Sequence, residues 1–336
     1  MRYLVSIIFI LNVSLLFSFP ITDYDFRLPT SVISPIEGSC GGINVASNND
    51  NYIVFTNPAL LATIKKTNFS VSFILPSKNY ETIGSVLNKV PFLEENKFRG
   101  FAFQGNKIGL GYQVLSEDKF DIQNEAGDKI YQDYKLNSYL LGFSDSIDNY
   151  HWGLSLKLLS GRLVYLKQEK VLTGNESILV TKEFIDSRAL GYSSDLGLHT
   201  AKNNFSFGFV VNDILSKIYW KDYNSYKIKT RVTTSVEYSS DSYILGFGLN
   251  NRWNIKTKPF LNTYYAYKYS FGRPDDLQYS ILRFGVCSKE FKDQDNILFN
   301  LGLGYMYRIF KIDIALQSQG WKANQTQYLF SVSVGE

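Results

Sequence analysis

The chain carries only two cysteines, two histidines and two methionines in 336 residues. So few thiols and imidazoles form no cluster with metal-ligand spacing, and neither a phosphate-cradling glycine loop nor a nucleophile elbow is present. Catalysis needs convergent titratable groups, so the sequence predicts a non-enzyme with no cofactor and no bound metal. An excess of one charge is missing too. The 35 basic and 31 acidic residues give a formal +4 spread along the chain without a basic block, which argues against nucleic acid as a partner. Cys40 and Cys287 either form one disulfide or stay as two separate buried thiols, and the second is the simpler expectation. Long hydrophobic runs are also absent beyond the leader: no later window holds the roughly 18 apolar residues that a spanning helix requires.

The leader itself, MRYLVSIIFILNVSLLFS, has Arg2 at its start, an apolar core from Leu4 to Phe17 and a small residue, Ser18, at its end. Asn12 and Ser14 interrupt the core, so residues 1–18 read as a cleaved secretory signal peptide rather than an anchor. Any membrane role of the exported chain then falls to strands or to surface attachment.

Aromatic residues are abundant. With 24 Tyr, 25 Phe and 4 Trp the chain is 16% aromatic, a composition that favours strands and membrane-water boundaries. From Asn68 onward, apolar residues alternate with polar or small ones. In KIGLGYQVL, Ile108, Leu110, Tyr112 and Val114 share one face, and Lys107, Gly109, Gly111 and Gln113 the other. The segment from Arg308 repeats this with Phe310, Ile312, Ile314 and Leu316, and the last segment with Tyr328, Phe330, Val332 and Val334. The periodicity predicts 14 strands, near 67–75, 99–104, 107–116, 134–145, 150–160, 188–199, 204–211, 227–238, 242–253, 258–270, 277–288, 296–305, 308–317 and 326–334.

The connections supply an independent check, because outer-membrane barrels join strands by short periplasmic turns and longer outer loops. Gly105-Asn106, SIDN, AKNN, SSD and Met306-Tyr307 are tight, whereas 76–98, 117–133, 161–187 and 212–226 are long. NIKT and FGRPDD, on either side of the tenth strand, break the alternation. A soluble β-sandwich alternates as well, but its strands commonly run about 5 or 6 residues, against roughly 9 to 11 for a tilted transmembrane strand. The lengths here favour a 14-stranded antiparallel transmembrane β-barrel with an apolar outer face and a polar lumen.

Ahead of the strands, GGINVASNNDNYIVFTNPALLA resembles the hatch signature of the FadL and PorV outer-membrane barrels, in Gly41, Gly42, Asp50, Asn57, Pro58, Ala59, Leu61 and Ala62. Leu60 stands where the signature has glycine. FGFVVNDILSKIYW and LFNLGLGYMYRIFKIDIALQ look like later segments of the same superfamily, although the chain ends VSVGE without the terminal aromatic assembly signal. The resemblance implies an N-terminal hatch or plug at 19–66 inside a barrel at 67–336, located in the bacterial outer membrane and in contact with its lipids. The hatch residues would be Asn57, Pro58, Ala59, Leu60 and Leu61, the last three as apolar plug contacts.

Two functions follow from the resemblance. One is passive uptake of hydrophobic small molecules through a hatch-gated lumen. The other is a PorV-like scaffold that binds an exported partner protein and transports nothing. For either, Ile214, Leu215, Ile218, Tyr219 and Trp220 would form an apolar surface on an exposed loop, the candidate contact for ligand or partner. YETIGSVLNKV, Tyr80 to Val90, reads as a short helix on the same side. Inward parity falls to the charges Lys107, Lys157, Asp195, Arg231, Glu237, Lys268, Arg283, Lys311 and Asp313, and to the apolar Leu115, Leu140, Val210, Ile244, Leu298 and Leu329. His151 and His199 share that parity near the periplasmic ends of neighbouring strands, where satisfied rim histidines are the simpler account than a metal or proton site.

Overall fold

The structure, a computed structural model, describes residues 32–76, 97–123, 127–173, 176–252, 259–270, 278–288, 291, 297–320 and 326–335. The leader at 1–18, the helix read at Tyr80–Val90 and the connections NIKT and FGRPDD lie outside the described residues. Fifteen strand segments follow one another: β1 (Asn68–Pro76), β2 (Lys97–Gly105), β3 (Ile108–Gln123), β4 (Lys129–Ile147), β5 (Tyr150–Thr173), β6 (Glu176–Lys202), β7 (Phe205–Asn212), β8 (Lys217–Trp220), β9 (Arg231–Ser239), β10 (Tyr243–Arg252), β11 (Phe260–Ser270), β12 (Gln278–Ser288), β13 (Ile297–Tyr307), β14 (Phe310–Gln319) and β15 (Thr326–Gly335). Apart from β8, which pairs with β6 alone while β7 pairs with β6 and β9, consecutive strands pair antiparallel, and β1 pairs with β15, so the sheet closes on itself. Closure satisfies the backbone of every stave within the sheet, the condition for strands to cross hydrocarbon.

The barrel has 14 staves because β7 and β8 lie end to end along β6. β7 pairs with Leu196 to Lys202, and β8 with Ala189 to Tyr192. From Val211 to Lys217 the chain advances six positions while its partner advances four, from Leu196 to Tyr192, so the stave carries a two-residue excess at the break. This corrects the reading of 212–226 as loop throughout.

Outer and inner faces separate as the alternation predicts. In β13, Leu301, Leu303, Tyr305 and Tyr307 are exposed while Asn300, Gly302 and Gly304 are buried. Two-residue turns join β2 to β3, β4 to β5, β6 to β7 and β13 to β14, each with one residue in the left-handed region: Lys107, Asp148, Asn203 and Arg308. Lys107 is therefore not a lumen charge. It is exposed in its turn and bonds Asp145 at 2.6 Å.

The tight turns gather at the end where β1 begins and β15 finishes, which is the periplasmic end of such a barrel. At the other end the wall is uneven. β5 and β6 have 24 and 27 residues against 10 in β10, and with β3 and β4 they raise a four-stranded sheet above the rest of the rim. The stretches 117–133 and 161–187, read as loops, are thus mainly strand. Above the bilayer both faces meet water, so alternation fades while the backbone pairing continues.

Candidate functional site: a plugged lumen

Residues 32–64 fold into short turns that are almost wholly buried. Helix α1 (Pro35–Ser39) starts with proline, and the Ser34 hydroxyl accepts from the Ile36 amide at 3.0 Å. Gly41 and Gly42, both at positive φ, then reverse the chain. Helix α2 (Ile53–Thr56) leads into a 3₁₀ helix over Pro58–Thr63. A Cβ would strike Pro58 if added at Gly153 of β5, Val45 at Gly208 of β7, Cys40 at Gly285 of β12 and Ser39 at Gly302 of β13. Those staves lie on different sides of the barrel, so the segment that touches all four sits inside as a plug.

Asn57 joins three parts of this assembly. Its carboxamide donates to Val45 O at 2.7 Å and to Leu198 O of β6 at 3.1 Å, while its oxygen accepts from the Ala59 amide at 3.1 Å. One side chain thereby caps the 3₁₀ helix, ties two plug turns together and pins them to the wall. Ala59, Leu60 and Leu61 are fully buried, and the run coils as one 3₁₀ element.

The plug meets the wall differently on its two sides. Toward β2, β3 and β4 an apolar core joins Ile53, Val54, Phe55, Leu60 and Leu61 to Ala102 and Leu140, with Val54 and Leu61 seated over Gly109 and Gly142. Toward β1, β14 and β15 the contact is mixed: Val32 packs on Ala315 and Leu329, and the rest is polar. Ser34 donates to Asp50 at 2.7 Å, Lys311 to Asn49 O at 3.0 Å, and Arg283 meets Asp313 at 3.0 Å. There the hydroxyls of Ser70 and Ser333 and the Oδ2 of Asp50 are buried without a hydrogen-bond partner, while the Tyr52 hydroxyl lies within reach of Ser72 and Ser331. Burial pushes the Asp50 carboxyl up from its ordinary range and the Glu37 carboxyl to about 8.

Above the plug, on the outer side, the lumen is apolar over β4, β5, β6 and β8. Tyr134, Leu136, Leu159, Leu163, Ala189, Ile218, Trp220 and Ile228 form one buried cluster, in which Trp220 and Tyr134 have ring centroids 6.1 Å apart. The structure thus divides the predicted apolar surface. Ile218 and Trp220 face the lumen, Leu215 and Tyr219 face outward, and Ile214 is half-buried at the break. Alternation within the four residues of β8 produces this split.

Below the cluster, Lys157 bridges Asp195 at 2.7 Å and Asp213 at 3.1 Å, and Ser193 donates to Asp213 at 2.6 Å. Asp213 stands in the break between β7 and β8 with φ 58°, and its amide donates to Asp195 at 2.9 Å. Lys157 and Asp195 have the inward parity that the sequence predicts; Asp213 was missed because it belongs to no strand. Glu237, Arg283, Lys311 and Asp313 are also buried inward, Arg231 and Lys268 half so, and the six predicted inward apolar residues all face the interior. Cys40 and Cys287 are separate buried thiols.

No family model matches the chain, and no curated protein matches it in sequence. Solved structures do match in fold. The Ralstonia pickettii toluene transporter TbuX aligns with a TM-score of 0.57 at 11% identity, over 92% of this chain and 98% of its own. The CymD monoaromatic hydrocarbon channel aligns with a TM-score of 0.54 at 10% identity, over 92% of this chain and 97% of its own. A Pseudomonas aeruginosa FadL homologue gives 0.52 at 11% identity, over 90% and 98%. The chain shares the barrel fold of these proteins.

Proposed function

We propose that the protein is an outer-membrane channel for small apolar molecules, exported by a leader cleaved after about residue 18 and bathed on its outer face by membrane lipids. The supporting observation is the apolar cluster around Tyr134, Leu159, Leu163, Ile218 and Trp220, which lies between the outer rim and the plug. Aromatic rings on two of its sides suit a flat apolar ligand, which would enter by parting Trp220 from Tyr134. No covalent step is involved. Passage onward requires the plug to shift, and Asn57, Pro58, Ala59, Leu60 and Leu61 are the residues that set its position. Transporters of toluene and monoaromatic hydrocarbons share the fold, which makes such compounds the first substrates to try.

Uptake of radiolabelled toluene into cells that express the protein, compared with cells that lack it, tests the reading. Trp220→Ala removes a contact that contributes about 1.5–3 kcal/mol, and initial uptake at low concentration should fall roughly tenfold or more. Uptake equal to that of the empty host overturns the proposal.

The raised sheet of β3 to β6 supports a second reading. It leaves Val171, Ile178, Leu179 and Phe184 exposed above the rim, a surface that suits a scaffold for an exported partner protein. Purification in detergent with mass spectrometry of what co-purifies separates the two. A stoichiometric protein without apolar ligand favours the scaffold, and bound apolar compounds without a partner favour the channel.

A further inference from the structure

The two histidines of the chain are 48 residues apart in sequence yet directly opposite each other across β5 and β6. Their rings are nearly parallel, at 19°, with centroids 5.5 Å apart, and lie on the inward face near the periplasmic rim. The His199 side chain hydrogen-bonds the backbone of Ala46 in the plug. Its Nδ1 and that of His151 are both buried without a hydrogen-bond partner. An imidazole that gives its N–H to a carbonyl presents an unprotonated lone pair on its other nitrogen, the arrangement usual for a histidine that holds a metal ion. A second imidazole beside it supplies the minimum for chelation.

We propose that His151 and His199 form a two-nitrogen site for a late first-row divalent cation such as Cu²⁺, Ni²⁺ or Zn²⁺, with water completing the coordination. Imidazole nitrogen is a preferred donor for these ions, and Cu²⁺ binds most tightly of them. Among the described residues no cluster of three or more His, Cys, Asp or Glu side chains surrounds the pair, which favours an exchangeable ion over a permanently held structural one. Because His199 also holds Ala46, an ion bridging the rings would staple β5, β6 and the plug turn at 45–46 into one unit.

The test uses purified full-length protein in detergent, stripped with chelator and titrated with Cu²⁺. Electron paramagnetic resonance should report one site with two imidazole nitrogens. His151→Asn and His199→Asn should each lose that signature while keeping the heat-modifiable mobility of a folded barrel. Zn²⁺, which is silent in that measurement, should slow proteolysis of the plug in the wild type and in neither variant. Copper bound equally by both variants, or with no nitrogen coupling in the wild type, overturns the site. Uptake of apolar substrate plays no part in these readouts, so they stand or fall apart from the channel proposal.

Discussion

The plug is held by unlike materials on its two sides. Toward β2 to β4, large apolar side chains sit over wall glycines, with the hydroxyls of Ser138 and Ser144 of β4 the buried polar atoms left without a partner there, and closed packing of this kind contributes about 1.5–3 kcal/mol for each fully buried side chain. Toward β1, β14 and β15, the small Val32 cluster and a few hydrogen bonds share the contact with three buried polar atoms that have no partner, on Ser70, Ser333 and Asp50. Each stranded group costs desolvation free energy of about 1–3 kcal/mol. A plug fixed equally all round could leave only as a whole. One gripped by apolar packing and by Asn57 on one side, and held less economically on the other, has a built-in direction of movement.

The comparison can be broken first on β5, next to the apolar side. In Gly153→Leu the new side chain meets the main chain at Pro58, which cannot yield as a side-chain tip would, so the cost should lie at or above the usual 1–3 kcal/mol of overpacking, roughly. The barrel should still form while the plug becomes open to protease and single-channel conductance rises; an unaltered protease pattern would show that the plug is not seated there. Lys157→Met should come next. It leaves Asp195 and Asp213 facing each other without their cation, a loss of about 3–5 kcal/mol for a broken buried pair. Melting of the barrel should drop by several degrees, and adding Asp195→Asn and Asp213→Asn should restore part of it.

A paired substitution then compares the two sides directly. Leu61→Ala opens a cavity in the apolar contact and should cost about 2–5 kcal/mol of plug seating. Ser70→Ala and Ser333→Ala delete hydroxyls that make no hydrogen bond, so both should be neutral or stabilising, by about 1 kcal/mol. Limited proteolysis of the plug against urea measures all three. A clear loss of seating in Ser70→Ala or Ser333→Ala would mean that this side is as firmly bonded as the apolar one.

Much of this was legible in the sequence wherever lipid and lumen act on opposite faces of one strand. The stretch 204–211, with Phe205, Phe207 and Phe209 set against Ser206 and Gly208, was read almost to the residue as β7. Legibility failed where that contrast ends. From Arg162 to Lys170 the chain mixes apolar and charged residues on both faces, because both meet water, and only backbone pairing extends β5 there. β8 was hidden by the break at Asp213, which makes Ile218, Tyr219 and Trp220 look like one exposed patch when they alternate between two environments. In the plug, an N-capping asparagine before proline gave the turn at Asn57 away. Parity placed both histidines inward, but their direct opposition depends on register, which one strand read alone does not contain.

The last expected effect is a dependence on pH and concerns Glu37, in α1. Its side chain is only half-buried, yet the surrounding barrel disfavours its charged form, with Asp50 adding repulsion, and its pKa rises from 4.5 to about 8. A carboxyl whose folded value lies above its unfolded one binds more protons folded than unfolded between the two. Plug seating should therefore be strongest below about pH 4.5, weaken as pH climbs to about 8, and level off beyond it. Glu37→Gln keeps the shape and removes the titration, so its proteolysis profile should lose that slope and show the better-seated plug at pH 8. A wild type as protease-resistant at pH 8 as at pH 5 would mean that Glu37 reaches solvent in the lumen and that water enters beside α1.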